Sequence, residues 1–232
     1  MSDQKKKISP AAIVLMLFVI LGIPFLPLLI SWQWDWWEAW VYAIVFILGF
    51  AVSRLLAARR HPDLLSERAH YMHQTDAKAW DKKLSPMVGL GSGFIPLVAG
   101  LDALFSWSAS FSLHVKILAL VIILVGFALG SYALIENRFF SGMVRIQVER
   151  GHRVVSGGPY RWVRHPGYAG SLLAYLASPI WLDSWWALLP AIIITILLFI
   201  RTYLEDKTLQ DELDGYREYA SKVRFRLIPG IW

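Results

Sequence analysis

The stretch NRFFSGMVRIQVERGHRVVSGGPYRWVRHPGY, Asn137 to Tyr168, is polar, basic and glycine-containing, and it lies between two segments apolar enough to cross a membrane. A chain that uses most of its length for lipid-soluble helices has few polar residues left for chemistry, and here they are concentrated. A second polar cluster, Arg201 to Glu212 (RTYLEDKTLQDE), follows the last apolar segment. If both flanking segments cross the membrane, the two clusters meet on the same side of it.

The composition sets the class of protein. With 56% hydrophobic, 14% aromatic and 17% charged residues, the chain lies well outside the balance of a soluble domain, and we expect an all-α integral membrane protein. The net charge of +6 does not indicate nucleic acid, because the basic residues lie at the ends of apolar segments, where such residues encode topology. The absence of cysteine excludes disulfides and Cys-ligated metals. The histidines lack regular spacing with carboxylate partners, so we predict no metal site.

Apolar runs predict about six transmembrane helices in one domain that covers residues 1–232. The last two runs have 17 uncharged residues each, which at about 1.5 Å per residue is just enough to cross. They form a predicted tight hairpin, with Asp183 or Ser184 capping the sixth helix and Trp181, Trp185 and Trp186 at the membrane interface. The predicted spans are residues 11–31, 37–58, 84–106, 115–136, 166–182 and 184–204.

The distribution of basic residues tests this layout. It places 22 of the 23 lysines and arginines on one side of the membrane, and Lys116 alone falls on the other. The positive-inside rule therefore predicts that both termini and both polar clusters are cytoplasmic. We expect an integral protein of a bacterial inner membrane, with an uncleaved first span.

The first polar cluster has the features of a ligand site. Gly157 and Gly158 permit a tight turn, and Pro166 suits the first turn of the fifth helix. His165 precedes that helix, beside exposed backbone N–H groups that favour an anionic ligand group. Spacing alone leaves open the alternative that the nearby arginines are only topology signals; these are Arg153, Arg161 and Arg164.

The second cluster predicts a polar helix face. Arg201 and Glu205 are four residues apart and share one face at the cytoplasmic end of the sixth span. We expect Asp206, like Asp102 near the end of the third span, to reach water. Beyond this point an amphipathic helix is predicted that lies on the membrane or folds back over the site. Its apolar positions are Leu209, Leu213, Tyr216, Tyr219 and Val223.

The run VRIQVERGHRVVSGGPYRWVRHPGYAGSLL, followed by R-x-x-x-E-D-x-x-L and GYREYASKVRFRLIPGIW, resembles the isoprenylcysteine carboxyl methyltransferase family, particularly its bacterial members. The resemblance is specific over about residues 137–232, and HPDLLSERA in the second loop also looks like bacterial relatives. It implies a multispan fold whose last helices and C-terminal segment hold S-adenosylmethionine on the cytoplasmic side, while a lipophilic carboxylate substrate reaches the site from the bilayer lipids.

The resemblance also implies roles for individual residues. Arg201 matches the arginine that handles the substrate carboxylate. Gly167 stands where eukaryotic members often have serine. The positions that match cofactor contacts are Gln147, His152, Arg153, Val154, Val155, Tyr160, His165, Pro166, Gly167, Tyr168 and Glu205.

The chemistry agrees with this inventory. Methyl transfer from a sulfonium is an in-line displacement, and a carboxylate is already ionised at neutral pH, so the reaction needs alignment and exclusion of water but no general base. An arginine that grips the carboxylate with two bonds would supply the alignment. Two alternatives remain: a phospholipid N-methyltransferase, whose amine acceptor needs a base, and a non-catalytic membrane protein such as a transporter subunit.

Overall fold

The chain is described by a computed structural model that covers residues 17–69 and 74–232. All regular structure within these two ranges is helical. A π-helical turn, Phe18–Gly22, leads directly into α1, Ile23–Ser31. The other helices are α2 (Trp37–Arg60), α3 (Pro62–Ala69), α4 (Asp81–Gly91), α5 (Phe94–Phe105), α6 (Leu113–Glu136), α7 (Pro166–Trp181), α8 (Leu188–Glu212) and α9 (Tyr216–Lys222).

Four helical stretches within the described ranges are long and apolar enough to cross a membrane: α2, α4 with α5, α6 and α8. The apolar stretch Phe18–Ser31 is shorter, and α7 has 16 residues. The all-helical membrane class predicted from composition is therefore confirmed. The count of six spans stays a prediction, and residues 11–16 of the first predicted span lie outside the described ranges.

The sixth predicted span has different ends in the structure. Helix α8 begins at Leu188, four residues later than predicted, and continues to Glu212. The late start arises from a tight turn, in which Asp183 adopts a left-handed backbone with φ of 53°. Ser184 closes this turn, because its Oγ accepts a hydrogen bond from the backbone N–H of Ala187 at 3.0 Å.

Helices α6 and α7 pack closely because glycines face each other. A Cβ atom at Gly170 would lie 2.4 Å from the carbonyl oxygen of Gly126 and 2.8 Å from the backbone nitrogen of Gly130. Small residues at such contacts let two membrane helices approach closely. This contact fixes the start of α7, and with it the cavity described below, against the end of α6.

The main apolar core joins the first helices to α6 and α7, and its most buried side chains include Leu28, Ile95, Ile123 and Trp181. The prediction that Trp181 lies at the membrane interface is wrong. Its side chain is 1% exposed, and its indole N–H donates to the carbonyl oxygen of Glu38 at 2.8 Å. Trp181 lies one residue earlier than the turn, on the inner face of α7, whereas Trp185 is exposed.

Buried charges lie at the end of the bundle formed by the first residues of α2 and α6, which we call the far end. The Nζ atom of Lys116 lies 2.5 Å from Glu38 and 2.9 Å from Asp183. Asp102 was expected to reach water, and this is wrong, because it is 2% exposed. Its carboxylate instead accepts hydrogen bonds from the hydroxyls of Ser108 at 2.6 Å and Ser184 at 2.5 Å.

Candidate active site

The central polar stretch folds over the end of α6 and the start of α7. Its backbone is irregular apart from two short 3₁₀ turns, Val148–Arg150 and Gly158–Arg161. Gly158 has φ of +54°, and a Cβ there would lie 3.0 Å from the ring of Tyr132, so the turn requires glycine. The chain then enters α7 at Pro166, whose missing N–H is tolerated at a first helical position.

A cavity of about 780 Å³, counted out to its open mouth, lies beneath this stretch. The walls come from residues 137–168, from the second half of α8 and from α9 with the residue Leu213 before it. The two polar clusters of the sequence therefore meet at one cavity.

Most of the residues that the family resemblance singled out line this cavity. Gln147 and Pro166 do not. The amide of Gln147 is fully buried, donates to the carbonyl oxygen of Phe139 at 2.7 Å and accepts from Arg150, so its polar atoms hold the loop together. Pro166 is buried in the first turn of α7. The cavity-lining members are His152, Arg153, Val154, Val155, Tyr160, His165, Gly167, Tyr168, Arg201 and Glu205.

Arg201 is held by a residue that the sequence did not single out. Its Nε lies 2.7 Å and its Nη2 lies 2.9 Å from the two carboxylate oxygens of Asp81. Asp81 is wholly buried and Arg201 is 7% exposed. The first residue of α4 and the middle of α8 are thus joined by a planar two-bond ion pair, the geometry that arginine and carboxylate favour.

Glu205 contacts the cavity one helical turn further along α8. Its Oε2 accepts a hydrogen bond from the hydroxyl of Tyr168 at 2.5 Å, and its Oε1 lies 4.0 Å from Nδ1 of His165. The ring of His165 stacks on that of Tyr168, with the planes 7° apart. These three side chains offer a carboxylate and two flat rings to a ligand.

The prediction that Asp206 is solvated is wrong. Asp206 is 0% exposed, because α9 and the segment after it cover this face of α8. Its carboxylate accepts two hydrogen bonds from Arg164, at 2.7 and 2.9 Å, and lies 3.2 Å from Nε2 of His165. It also accepts from Tyr216 at 3.1 Å and from Arg226 at 2.9 Å. Asp206 therefore fixes His165 and joins α8 to α9 and to the segment that follows α9.

The predicted amphipathic segment, Leu209 to Val223, covers one side of the cavity, and we call this side the roof. Leu209 lies in the last turn of α8, Leu213 directly follows that helix, and Tyr216 and Tyr219 lie on α9. All four line the cavity. The hydroxyl of Tyr219 donates to the carbonyl oxygen of Tyr160 at 2.7 Å. The segment folds back over the site, which is one of the two arrangements that its periodicity predicted.

Burial shifts the pKa of two titratable side chains of the cavity in the direction that favours their neutral forms. Removal from solvent raises the pKa of Tyr160, whose hydroxyl donates to the carbonyl oxygen of Ala133 at 3.3 Å. Removal from solvent, with the nearby charges of Arg145 and Arg150, lowers the pKa of His152 to about 4. His152 is thus an uncharged ring at neutral pH, and its Nδ1 accepts the backbone N–H of Gln147 at 3.3 Å.

Arg145 closes the side of the cavity that faces the second loop, another role that the sequence did not indicate. Its guanidinium lies 2.9 Å from Glu67, 2.7 Å from Asp76 and 2.7 Å from Glu149. Burial lowers the pKa of Arg145, but the hydrogen bonds and charges of these three acidic partners outweigh burial. The net result is a pKa above the usual value for arginine. The loop before α4 is therefore fastened to the central stretch.

A search of the sequence for a carboxylate partner of Arg201 would have included Asp81 among several candidates. An arginine within an apolar helix needs a carboxylate partner or a polar cavity, and Asp81 starts an apolar run on the same predicted side of the membrane. Nothing in the local pattern, however, separates Asp81 from neighbouring acidic residues such as Asp76. Only the folded chain shows which of them reaches α8.

Known proteins are similar to the part of the chain that forms most of this cavity. A family model described as phospholipid methyltransferase matches residues 114–213, which include α7, α8 and all of α6 after Leu113. Two rice proteins, from Oryza sativa subsp. indica and subsp. japonica, are each described as a probable protein-S-isoprenylcysteine O-methyltransferase. Each is 23% identical to this chain over 189 residues, or 80% of this chain and 93% of the relative. An uncharacterised Bacillus subtilis (strain 168) protein, YpbQ, is 37% identical over 68 residues, 29% of this chain and 40% of its own.

The chain is therefore similar to phospholipid methyltransferases over residues 114–213 and to probable isoprenylcysteine methyltransferases over most of its length. These similarities, with the apolar helices, support the resemblance to a membrane methyltransferase family that the sequence motif indicated. That it is a bacterial-type member stays a prediction.

Proposed function

We propose that this chain transfers the methyl group of S-adenosylmethionine to the carboxylate of a lipid-modified or lipophilic acceptor. The observation that carries the proposal is the cavity itself, where Arg201 and Glu205 lie one helical turn apart and both reach the lining. A fixed cation suits an acceptor carboxylate, and a carboxylate suits the ammonium group of the cofactor. The family resemblance assigns the same division.

The residues present fit S-adenosylmethionine. Glu205 offers a carboxylate, Tyr160 and His165 offer flat rings, and Val154 and Val155 offer apolar surface, all on one cavity. When bound there, the cofactor supplies an electrophilic methyl group on a sulfonium. The chain's own task is to orient the acceptor and exclude water, because an ionised carboxylate needs no base.

We place the site at the cytoplasmic face of a bacterial inner membrane, with six spans and both termini cytoplasmic. The asymmetry of the basic residues supports this topology, and the cavity lies at the ends of α6 and α8 where those residues cluster. Reporter fusions after Lys7, after Lys83 and at Trp232 should all read as cytoplasmic. A periplasmic reading at Trp232 would mean that one of the two short runs does not cross.

The second candidate function is methylation of a phospholipid amine. Two observations favour it: the matching family model is described as phospholipid methyltransferase, and Asp81 already neutralises the charge of Arg201. An amine acceptor must lose a proton, and Glu205 is the cavity carboxylate that could take it. An unpaired arginine would repel an ammonium, but a paired one repels it less.

An acceptor assay separates the two candidates. Purified protein in detergent is supplied with S-adenosylmethionine and either a prenylcysteine, a fatty carboxylate or phosphatidylethanolamine, and the methylated product is identified by mass. We expect transfer to a carboxylate, and we expect Arg201→Ala to abolish it while cofactor affinity changes little. If phosphatidylethanolamine is the one acceptor used, or if Arg201→Ala keeps full turnover, the carboxylate assignment fails.

A further inference from the structure

Asp81 occupies a position that is costly for a carboxylate. It is wholly buried at the first residue of α4, where an unpaired charge would be strongly unfavourable. Its oxygens are satisfied by Nε and Nη2 of Arg201 and by the backbone N–H of Val144, which lies 2.6 Å from Oδ2. Asp81 thus links α8 to the central polar stretch that forms the cavity wall.

This pairing decides which donors of Arg201 remain for a ligand. Nη2 of Arg201 also donates to the carbonyl oxygen of Gly142 at 2.9 Å, and the ring of Tyr168 lies 5.2 Å from the guanidinium carbon. Nε and Nη2 are therefore occupied. Among residues 17–69 and 74–232, no acceptor bonds to Nη1, and Arg201 lines the cavity. Of the five donors on a guanidinium, those on Nη1 remain for a ligand.

We propose that Asp81 is the positioning residue of this site, which holds Arg201 so that Nη1 alone meets the acceptor carboxylate. The inference rests on the function proposed above and adds to it. The two-bond grip expected from the sequence uses an edge of the guanidinium that Asp81 and Gly142 already fill. The acceptor is aligned through a single nitrogen, and Asp81 supplies the rigidity that a second bond to the acceptor would have given.

The pairing also sets the charge that the acceptor meets. With Asp81 in place the Arg201 pair is neutral, so an anionic acceptor is aligned without being held tightly. Without that charge, Arg201 would attract the acceptor more strongly but from a less defined position. Asp81 therefore favours turnover over binding, and its removal should change kcat and KM in the same direction.

The test compares Asp81→Asn with wild type and with the control Asp102→Asn, which removes another buried carboxylate at the far end. Titration calorimetry with S-adenosylmethionine counts the competent sites, and kcat per site and KM are then measured with a prenylcysteine. For Asp81→Asn we expect kcat to fall about 100-fold, the effect of a small misplacement of a reacting group, and KM to fall about tenfold. A merely structural role would lower the number of sites and leave kcat per site and KM unchanged. Wild-type values of both constants would overturn the proposal.

A second measurement decides the matter if Asp81→Asn does not fold or if the acceptor proves to be an amine. In protein labelled with ¹⁵N-arginine, the Nε–H signal of Arg201 is assigned by its loss in Arg201→Lys. We expect this N–H to exchange with water at least about 100-fold more slowly than that of Arg161, which is exposed, because Asp81 accepts the bond from Arg201 in a buried site. Exchange as fast as that of Arg161 would overturn the positioning role whatever the acceptor is. Slow exchange with methylation of amines only would contradict the proposed function alone.

Discussion

The two ends of the helical bundle both contain buried charged side chains, yet they differ in how those charges are used. At the far end, Lys116 pairs with Glu38 and Asp183, and none of the three lines the cavity. At the cavity end, Arg201 pairs with Asp81 but still reaches the cavity, as does Glu205. Burial of charge therefore does not by itself mark a site. The cavity end differs because its paired arginine lines a cavity and keeps donors, on Nη1, that no acceptor of the described residues uses.

Helix α6 separates the two ends. It runs from Lys116 near its first residue to Glu136 at its last, and its 24 residues span about 36 Å. The close glycine contact at Gly126 and Gly130 holds the start of α7 against α6. A substitution at one end can therefore be compared with a matched one at the other within the same folded protein.

The largest expected effects come from removing the cation at each end. Lys116→Met and Arg201→Met each leave a buried carboxylate without its partner, which costs about 3 to 5 kcal/mol. We expect both variants to unfold at clearly lower temperature in detergent. The difference lies in function: Lys116→Met should keep wild-type turnover per folded molecule, whereas Arg201→Met should lose methyl transfer to a carboxylate.

A matched substitution of a carboxylate partner completes this comparison. Glu38→Gln keeps the shape of the far-end ion pair, and it is the control for a change in stability that leaves the cavity unaffected. Loss of turnover in Lys116→Met at full S-adenosylmethionine binding would contradict the view that the far end is structural.

A smaller effect is expected from a side chain at Gly167, where eukaryotic relatives of the family often have serine. A Cβ there would lie 2.6 and 2.7 Å from two ring atoms of Phe140, so the ring must move. Gly167→Ser should lower the unfolding free energy by about 1 to 3 kcal/mol and be partly rescued by Phe140→Leu. The control is Gly89→Ser, because no atom lies within 4 Å of a Cβ at Gly89. Thermal melts of Gly167→Ser, of the double variant with Phe140→Leu and of Gly89→Ser test this prediction. Equal melting temperatures of Gly167→Ser and wild type would show that Phe140 is free to move.

The effect expected to be smallest at neutral pH is a dependence of stability on pH through His152. Its pKa is lowered to about 4 in the folded chain, while an unfolded chain takes up the proton near pH 6.5. The unfolded state therefore binds more protons between these values, and stability falls as pH drops from about 6.5 towards 4. His152→Gln should flatten the stability profile between pH 5 and 6.5, and His114→Gln, an exposed histidine at the far end, should not. Parallel profiles for wild type and His152→Gln would contradict the buried, neutral state of His152.

Much of the cavity lining could be predicted from the sequence, because the family resemblance gave its positions and most of them fall in one segment. The segment from His152 to Tyr168 carries the turn glycines, the helix-starting proline and the rings, and these are recognisable without knowing the fold. Arg201 and Glu205 were also accessible, since four-residue spacing on a helix places them on one face. Ten residues predicted for the site line one cavity.

The parts that failed are those that depend on contacts between distant segments. Asp102 and Asp206 were expected to reach water and Asp81 was not singled out, because local pattern gave no reason to bury any of them. Asp81 meets Arg201 across 120 positions, and Asp206 is buried by a helix that follows it. Trp181 was assigned to the interface because tryptophans flank the turn, yet only its orientation on α7 decides that it packs inward.

The most direct test of the account is the binding of S-adenosylmethionine to three proteins by titration calorimetry in detergent: wild type, Glu205→Gln and Asp102→Asn. Glu205 lines the cavity, whereas Asp102 is buried at the far end. We predict one saturable site in all three, with the same affinity in wild type and Asp102→Asn. Glu205→Gln should bind roughly 10- to 150-fold more weakly, the loss of one hydrogen bond to a charged group at about 1.5 to 3 kcal/mol. No binding to wild type, or equal affinity in all three proteins, would contradict the assignment of this cavity to the cofactor.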